Sequence, residues 1–348
     1  RLYSMGSRWS QKYPLFDRLF WEPLNYEGFK KLSYNSGDQE VSELLAPVLR
    51  GLPKDLPFVG THSWASQAAV HAGIPRVVNM IVDNWPMALH LAEGSIHTIQ
   101  GPSSWIGYRT LREFGGEGKA LRMMPPGSLK LTGHVVDHEL VANAEADCAR
   151  RLERARRGKP RRLLLSVGGA GAQRELLSRI VASLKPDVEA GKAALLVNVG
   201  DHRAVWEGLV RDAPWLGEAA VRHFDDFGET RRFCAEALDG EVEGVHVFFH
   251  EDIFAAVYAT NLLMRAADVL ATKPSELAYY PVPKLFLKRI GGHEAWGAIR
   301  SSELGDGTLE CRTPAALGQA LDLLFREDEL LPMMCEAIVR QKSIGTYD

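Results

Sequence analysis

Cysteine is scarce and scattered: Cys148, Cys234, Cys311 and Cys335 are the only four, and none forms a CxxC pair. That pattern argues against a zinc site or a disulfide framework and suits a reducing cytosol. Long apolar runs are missing too. Nothing approaches the ~20 residues needed to span a bilayer, and no signal peptide is visible. Charge of one sign is not in excess. A net charge of -3 and a pI near 6.5 give no global pull toward nucleic acid. Internal repeats and low-complexity tracts are absent, and so is the GK[ST] that would mark a P-loop.

What is present is an ordinary globular composition, 46% hydrophobic and 24% charged over 348 residues, enough for two domains. The chain opens "RLYSMGSRWSQKYPLFDRLFW", without an initiator Met. Residues 1–50 read mostly as helix, with Trp9, Tyr13, Phe16, Phe20 and Trp21 close to helical spacing. Such a helix either buries its rings against the domain or, with Arg8, Lys12 and Arg18, faces a membrane or an acceptor.

From residue 55 onward, short apolar runs ("PFVG", "RVVNMIV", "SIHTIQG") alternate with helical stretches ("SWASQAAVHAG", "SSWIGYRTLREFG"). Buried strands alternating with helices imply parallel βαβ units. The rhythm breaks at "ADCARRLERARRGKPRR", read as an interdomain connection because Gly158 and Pro160 follow a charged helix. It resumes with "RRLLLSV", "AALLVNVG", "VHVFFH", "AADVLAT" and "PKLFLK" and ends in a helical stretch. The expected fold class is therefore α/β, with two Rossmann-like doubly wound domains. Expected boundaries are 1–149 for the first domain, 150–162 for the connection, 163–325 for the second domain and 326–348 for a C-terminal helix.

Two constellations point to chemistry. In "LLLSVGGAGAQRELL" an apolar strand ends in Gly168, Gly169 and Gly171 and a helix starts at once. Such a turn lets backbone N–H groups and a helix dipole approach a phosphate, although it also serves as a plain tight turn. It lacks the GxGxxG spacing and the later acid that favour NAD. In "AADVLATKPSELAYYPVP", Lys273 and Pro274 stop a buried strand. Ser275 and Glu276 could cap a short helix there, or Glu276 could accept two hydrogen bonds from vicinal hydroxyls. "GGHEAWGA" places His293 and Glu294 after the next strand, at the carboxyl edge where open α/β sheets bind ligands.

The order "VGGAGA", "LLMRAADVLATKP", "SELAYYPVP", "GGHEAWGA" is similar to the C-terminal halves of GT-B glycosyltransferases, the family of the lipid-II-forming N-acetylglucosaminyltransferase and the monogalactosyldiacylglycerol synthases. The resemblance is clear over residues 160–310 and looser before. "THSWASQAAVHAGIPRVVNMIVDNWP" sits where that family has an acceptor-side segment, and "LTGHVVD" resembles its hinge. The resemblance implies two Rossmann-like domains facing a cleft and a UDP-sugar donor. It implies a diphosphate cradled by Gly168, Gly169 and Gly171, a ribose held by Glu276 beside Lys273 and Ser275, and a sugar approached by His293 and Glu294. Three departures stand out. The family's "KPGG" is shortened to Lys273, Pro274 and Ser275; His293 and Gly297 replace a Gln and an Asn; and the family's first strand and histidine-bearing Gly-rich loop are not in these residues, so that they are expected upstream of Arg1 or the chemistry is done differently.

An inverting sugar transfer needs a base to take the acceptor proton. Asp83, following "RVVNMIV", and His62, following "PFVG", are the leading candidates, with His90 a third and His134 structural. Each could equally be a satisfied loop residue. The tract from Arg150 to Arg162 holds eight basic residues and one acid, which reads as a solvated helix face or as a surface for anionic lipid headgroups. The expected function is transfer of a sugar from a UDP-sugar to a lipid or small-molecule acceptor, with no cofactor, metal or nucleic acid. The expected place is the cytoplasm, with a possible position at the inner face of the membrane. The alternatives are a GT-B-fold epimerase or hydrolase of a nucleotide sugar, or a non-catalytic nucleotide-sugar-binding protein.

Overall fold

The structure is a computed structural model that describes residues 9, 13–21, 36–84, 90–110, 124–167, 174–289 and 294–347. The chain divides into two compact units. The first holds residues up to Val135 together with Ile290–Gly297, and the second holds Val136–Arg289 and Ala298–Tyr347.

Unit 1 carries a parallel sheet in the order β1-β2-β3-β4: Phe58–Gly60, Val77–Met80, Ile96–Ile99 and Leu129–Leu131. Helix α1 (Ser36–Arg50) packs on α2 (Ser63–His71), which links β1 to β2, and α3 (Pro102–Thr110) follows β3. Ile81, Leu91, Ile99, Tyr108, Met124 and Leu129 form a buried cluster. The amino-terminal aromatic stretch is helical over Pro14–Trp21, yet Trp9, Tyr13 and Phe20 are exposed rather than packed away.

Unit 2 carries six parallel strands in the order β10-β9-β5-β6-β8-β7. They are β5 (Arg161–Ser166), β6 (Ala193–Asn198), β7 (Ala220–Phe224), β8 (Gly244–Phe249), β9 (Val269–Thr272) and β10 (Lys284–Phe286). Period-two alternation sends neighbours to opposite faces. Leu163, Leu165, Leu195, Val197, Val269 and Ala271 enter one core. Leu164, Ala194, Leu196 and Leu270 enter the other. Both faces being covered by helices, the strands read as unbroken apolar runs. Each fully buried Leu contributes about 1.5–3 kcal/mol. The helices on one face include α5 (Arg174–Glu189), α6 (Arg203–Asp212), α11 (Pro314–Phe325) and α12 (Leu330–Ser343). Those on the other include α8 (Phe227–Asp239) and α9 (Ile253–Ala266). Two further helices are α7 (Trp215–Ala219) and α10 (Ala295–Leu304), the latter in unit 2 from Ala298 onward.

The basic tract departs from expectation. Helix α4 (His138–Arg156) lies within unit 2, and the division falls before it, between Val135 and Val136. Arg151, Arg154, Arg161 and Arg162 are buried. The Arg151 guanidinium donates to the carbonyls of Ala267 and Met264, both at 2.9 Å. Arg162 donates to Ala237, Gly240 and Ala266, and Arg161 to Leu324 and Glu327. These carbonyls belong to the carboxyl ends of α8, α9 and α11 and the residues just beyond, where orphan acceptors and the negative dipole end favour a cation. Arg154 pairs with buried Asp268 at 2.6 Å, and Arg150, Arg156, Arg157 and Lys159 pair with Asp239, Glu153 and Glu241. Arg151, Arg154, Arg161 and Arg162 are thus internal clamps, whereas Arg156, Arg157 and Lys159 are exposed and make the solvated part of the tract. No helix among the described residues is long and apolar enough to cross a membrane.

Candidate functional site

In unit 2 the chain leaves β5 toward β6 on one side and leaves β9 toward β10 on the other, so adjacent β5 and β9 form the topological switch point. The crevice outside the carboxyl ends at such a point is where open α/β sheets bind ligands. In register, Leu165 pairs with Ala271 and Leu164 with Leu270. Ser166 and Thr272, which end the two strands, therefore lie side by side. Gly168, Gly169 and Gly171 lie outside the described residues. Val167, just before them, is held by its N–H on the Asn198 carbonyl at 3.0 Å.

After β9, Lys273 is half-buried, Ser275 is buried and Glu276 is exposed. Glu276 opens a single 3-10 turn, Glu276–Tyr279. Ser275 makes no side-chain cap. One turn carries little macrodipole, so capping is a weak reason for an acid here. His293 lies outside the described residues; Glu294 is buried and groups with unit 1.

A pocket of about 560 Å³ opens at the carboxyl ends of β7 and β8, lined by Asp225, Phe227, His250, Asp252, Phe254 and Tyr258 among others. Asp225 sits in the left-handed region (φ 55°), and its Oδ1 accepts from the Glu251 N–H at 2.8 Å. Asp226 caps α8 and Asp252 caps α9. His250 is buried with Nε2 3.1 Å from the Thr230 hydroxyl, and burial holds its pKa below the usual histidine range. Aromatic walls with carboxylates suit a flat, neutral group bearing donors better than a phosphate. No local motif marks this pocket, because residues 225–227 and 250–258 meet only through the β7–β8 pairing.

In unit 1 three ionisable residues gather at the carboxyl edge of the sheet. Gly60 ends β1 where an added Cβ would sit 2.4 Å from the Ser66 hydroxyl, so the chain turns tightly into α2. His62 caps that helix, its Nδ1 accepting from the Trp64 N–H at 3.3 Å. Asp83 follows β2, and its Oδ2 lies 3.4 Å from Nε2 of His90. His90 Nδ1 is 3.1 Å from the Tyr108 hydroxyl. Burial, and next the positive charge of His62, push the His90 pKa down to about 4. At neutral pH the contact is thus between a neutral imidazole and a carboxylate. In the tautomer where Tyr108 donates to Nδ1, the Nε2 proton faces Asp83; the other tautomer would set a ring lone pair against the carboxylate. Asn79 ties this edge together, accepting from Ser66 and donating to the His90 carbonyl. Buried His97, also lowered to about 4 by burial, accepts from the Ala92 N–H at 3.0 Å. His134 is fully buried. The structure thus joins Asp83, His90 and His62 in unit 1, and Lys273, Ser275 and Glu276 in unit 2. Among the described residues no group of three or more His, Cys, Asp or Glu is placed to hold a metal ion.

The class this architecture defines is α/β with two Rossmann-like units, the GT-B fold. A UDP-GlcNAc 2-epimerase from Neisseria meningitidis bound to UDP-GlcNAc aligns with a TM-score of 0.52 and 13% identity over 88% of this chain and 79% of that one. The S. aureus MnaA–UDP co-structure aligns with a TM-score of 0.51 and 11% identity, over 87% and 77%. At such identities the likeness is one of fold. The chain belongs to the family described as Domain of unknown function (DUF6938), whose model matches residues 124–348, and residues 1–110 match Domain of unknown function (DUF6937). No curated protein matches the sequence.

Proposed function

We propose that the protein binds a UDP-sugar along the carboxyl edge of the six-stranded sheet and transfers the sugar to an acceptor hydroxyl. The observation that carries this is the switch point, where β5, the strand that precedes the Gly-rich sequence, lies beside β9, the strand that precedes Lys273, Ser275 and Glu276. β5 and β8 are separated by one strand, so about 10 Å lies between the carboxyl end of β5 and that of β8, where the pocket opens, taking about 4.8 Å per strand. That span fits a nucleotide with its diphosphate at the turn and its base in the aromatic pocket. Gly168, Gly169 and Gly171 hold the diphosphate in this reading, Glu276 the ribose, and His293 and Glu294 the sugar. Asp83 is the base, with His62 its rival and His90 beside both. The acceptor is a small molecule or a lipid. Two proteins of like fold, described as bound to UDP-GlcNAc and to UDP, support the donor class.

A hydrogen bond to a charged carboxylate contributes about 1.5–3 kcal/mol. Glu276→Ala is therefore expected to weaken UDP binding about tenfold or more in calorimetry. Unchanged affinity in a folded variant removes the ribose assignment. A second reading, epimerisation or hydrolysis of the nucleotide sugar, is favoured by the epimerase among the like folds. Incubation with UDP-sugars and no acceptor separates the two, since an epimer or free UDP supports the second.

A further inference from the structure

Lys284, the first residue of β10, is wholly buried. Its ammonium has three donors and spends all three: on the Tyr280 carbonyl at 2.8 Å, the Val282 carbonyl at 2.9 Å and Asp306 Oδ2 at 2.9 Å. Asp306, also wholly buried, accepts in addition from the Tyr347 hydroxyl at 2.5 Å and from Ser301. Burying an ion pair costs desolvation that an apolar pair of similar volume avoids, so packing alone gives no reason for it. What the pair does supply is one geometry. Both carbonyls it holds lie in the segment Glu276–Pro283, whose other backbone ties are few. Ala278 donates to Ser275, Tyr280 to Leu277, Val282 to Tyr280, and Pro283 accepts from Leu270.

We propose that Lys284, held by Asp306 and Tyr347, is a positioning residue that fixes the path of the backbone from Glu276 to Pro283, and with it the place of the Glu276 carboxylate. This rests on the reading of that segment as part of a nucleotide-sugar site. Lys284 touches no ligand; it acts by clamping two carbonyls behind the segment. Tyr347, near the last residue, is thereby linked to the site through Asp306.

The test uses the full chain. Lys284→Met with Asp306→Asn removes both charges together, leaving neither buried alone, and Tyr347→Phe removes only one donor to Asp306. Hydrogen exchange is expected to speed up about tenfold or more at the amides of Ala278, Tyr280 and Val282 in the double variant, while β5 and β6 keep their protection. UDP dissociation constants are expected to rise about tenfold, as for Glu276→Ala. Tyr347→Phe moves both readouts in the same direction by less, and serves alone if the double variant does not fold. Leu209→Ala, a core truncation in α6, destabilises the same unit and is expected to move neither readout. Native exchange at Ala278, Tyr280 and Val282 in the folded variants overturns the proposal. So does native UDP affinity where Glu276→Ala weakens binding. If the wild-type protein does not bind UDP, the nucleotide reading fails, and exchange alone then decides whether Lys284 sets the segment.

Discussion

A neutral histidine beside a carboxylate is a different device from a salt bridge, and His90 is of the first kind. Burial holds His90 and His97 near pKa 4, and burial with the His223 charge does the same for His246. An unfolded chain binds protons at these sites from about pH 6.5 downward, whereas the folded one does not until about 4. Stability is therefore full above 6.5 and falls as pH drops toward 4, by up to ~1.4 kcal/mol per pH unit for each such group. Urea midpoints measured across that window check this, and His97→Gln, which keeps an acceptor for Ala92, is expected to flatten the slope. At the same scale, Asp83→Asn is expected to lower UDP-sugar turnover by about 10²–10⁴ with UDP affinity retained. Turnover that survives both Asp83→Asn and His62→Ala sinks the assignment of the base.

Among elements, the legible ones and the hidden ones differ for a physical reason. β5, β6, β8 and β9 are visible in the sequence because helices cover both of their faces, and "RRLLLS" or "AALLVN" has no polar side to show. β7 ("AVRHF") is an edge strand with Val221 and Arg222 exposed, and β4 is only three residues long; neither makes an apolar run. The end of β9 at "TKPSE" was readable because proline punctuates locally. The arginine clamps of α4 and β5 were not, because their partners are carbonyl oxygens, which leave no mark in sequence, and Asp268, 114 residues beyond Arg154. Arg154→Leu strands that carboxylate in the interior. It is expected to cost about 3–5 kcal/mol, with Arg154→Met and Asp268→Asn together recovering most of it in urea denaturation.

At the scale of the whole molecule, two family models meet near residues 110–124, while the contact division falls at Val135 and returns Ile290–Gly297 to unit 1. The two-domain order was thus legible, while the charged helix that read as a connection groups with unit 2 through its carbonyl clamps. The switch point also has a consequence in time. β5 to β8 assemble from neighbouring βαβ units, but β9 must return past β6 to pair with β5, guided by Asp268 accepting from the Arg162 N–H 106 residues earlier. Closing that loop precedes any reward from the contact, so β9 is expected to dock late. In stopped-flow refolding, UDP binding is then expected to recover after the bulk of the sheet signal; simultaneous recovery contradicts this order. Chains stalled before β9 would hold a sheet but no switch-point crevice, so that on the proposed nucleotide-sugar reading ligand binding marks completed folding.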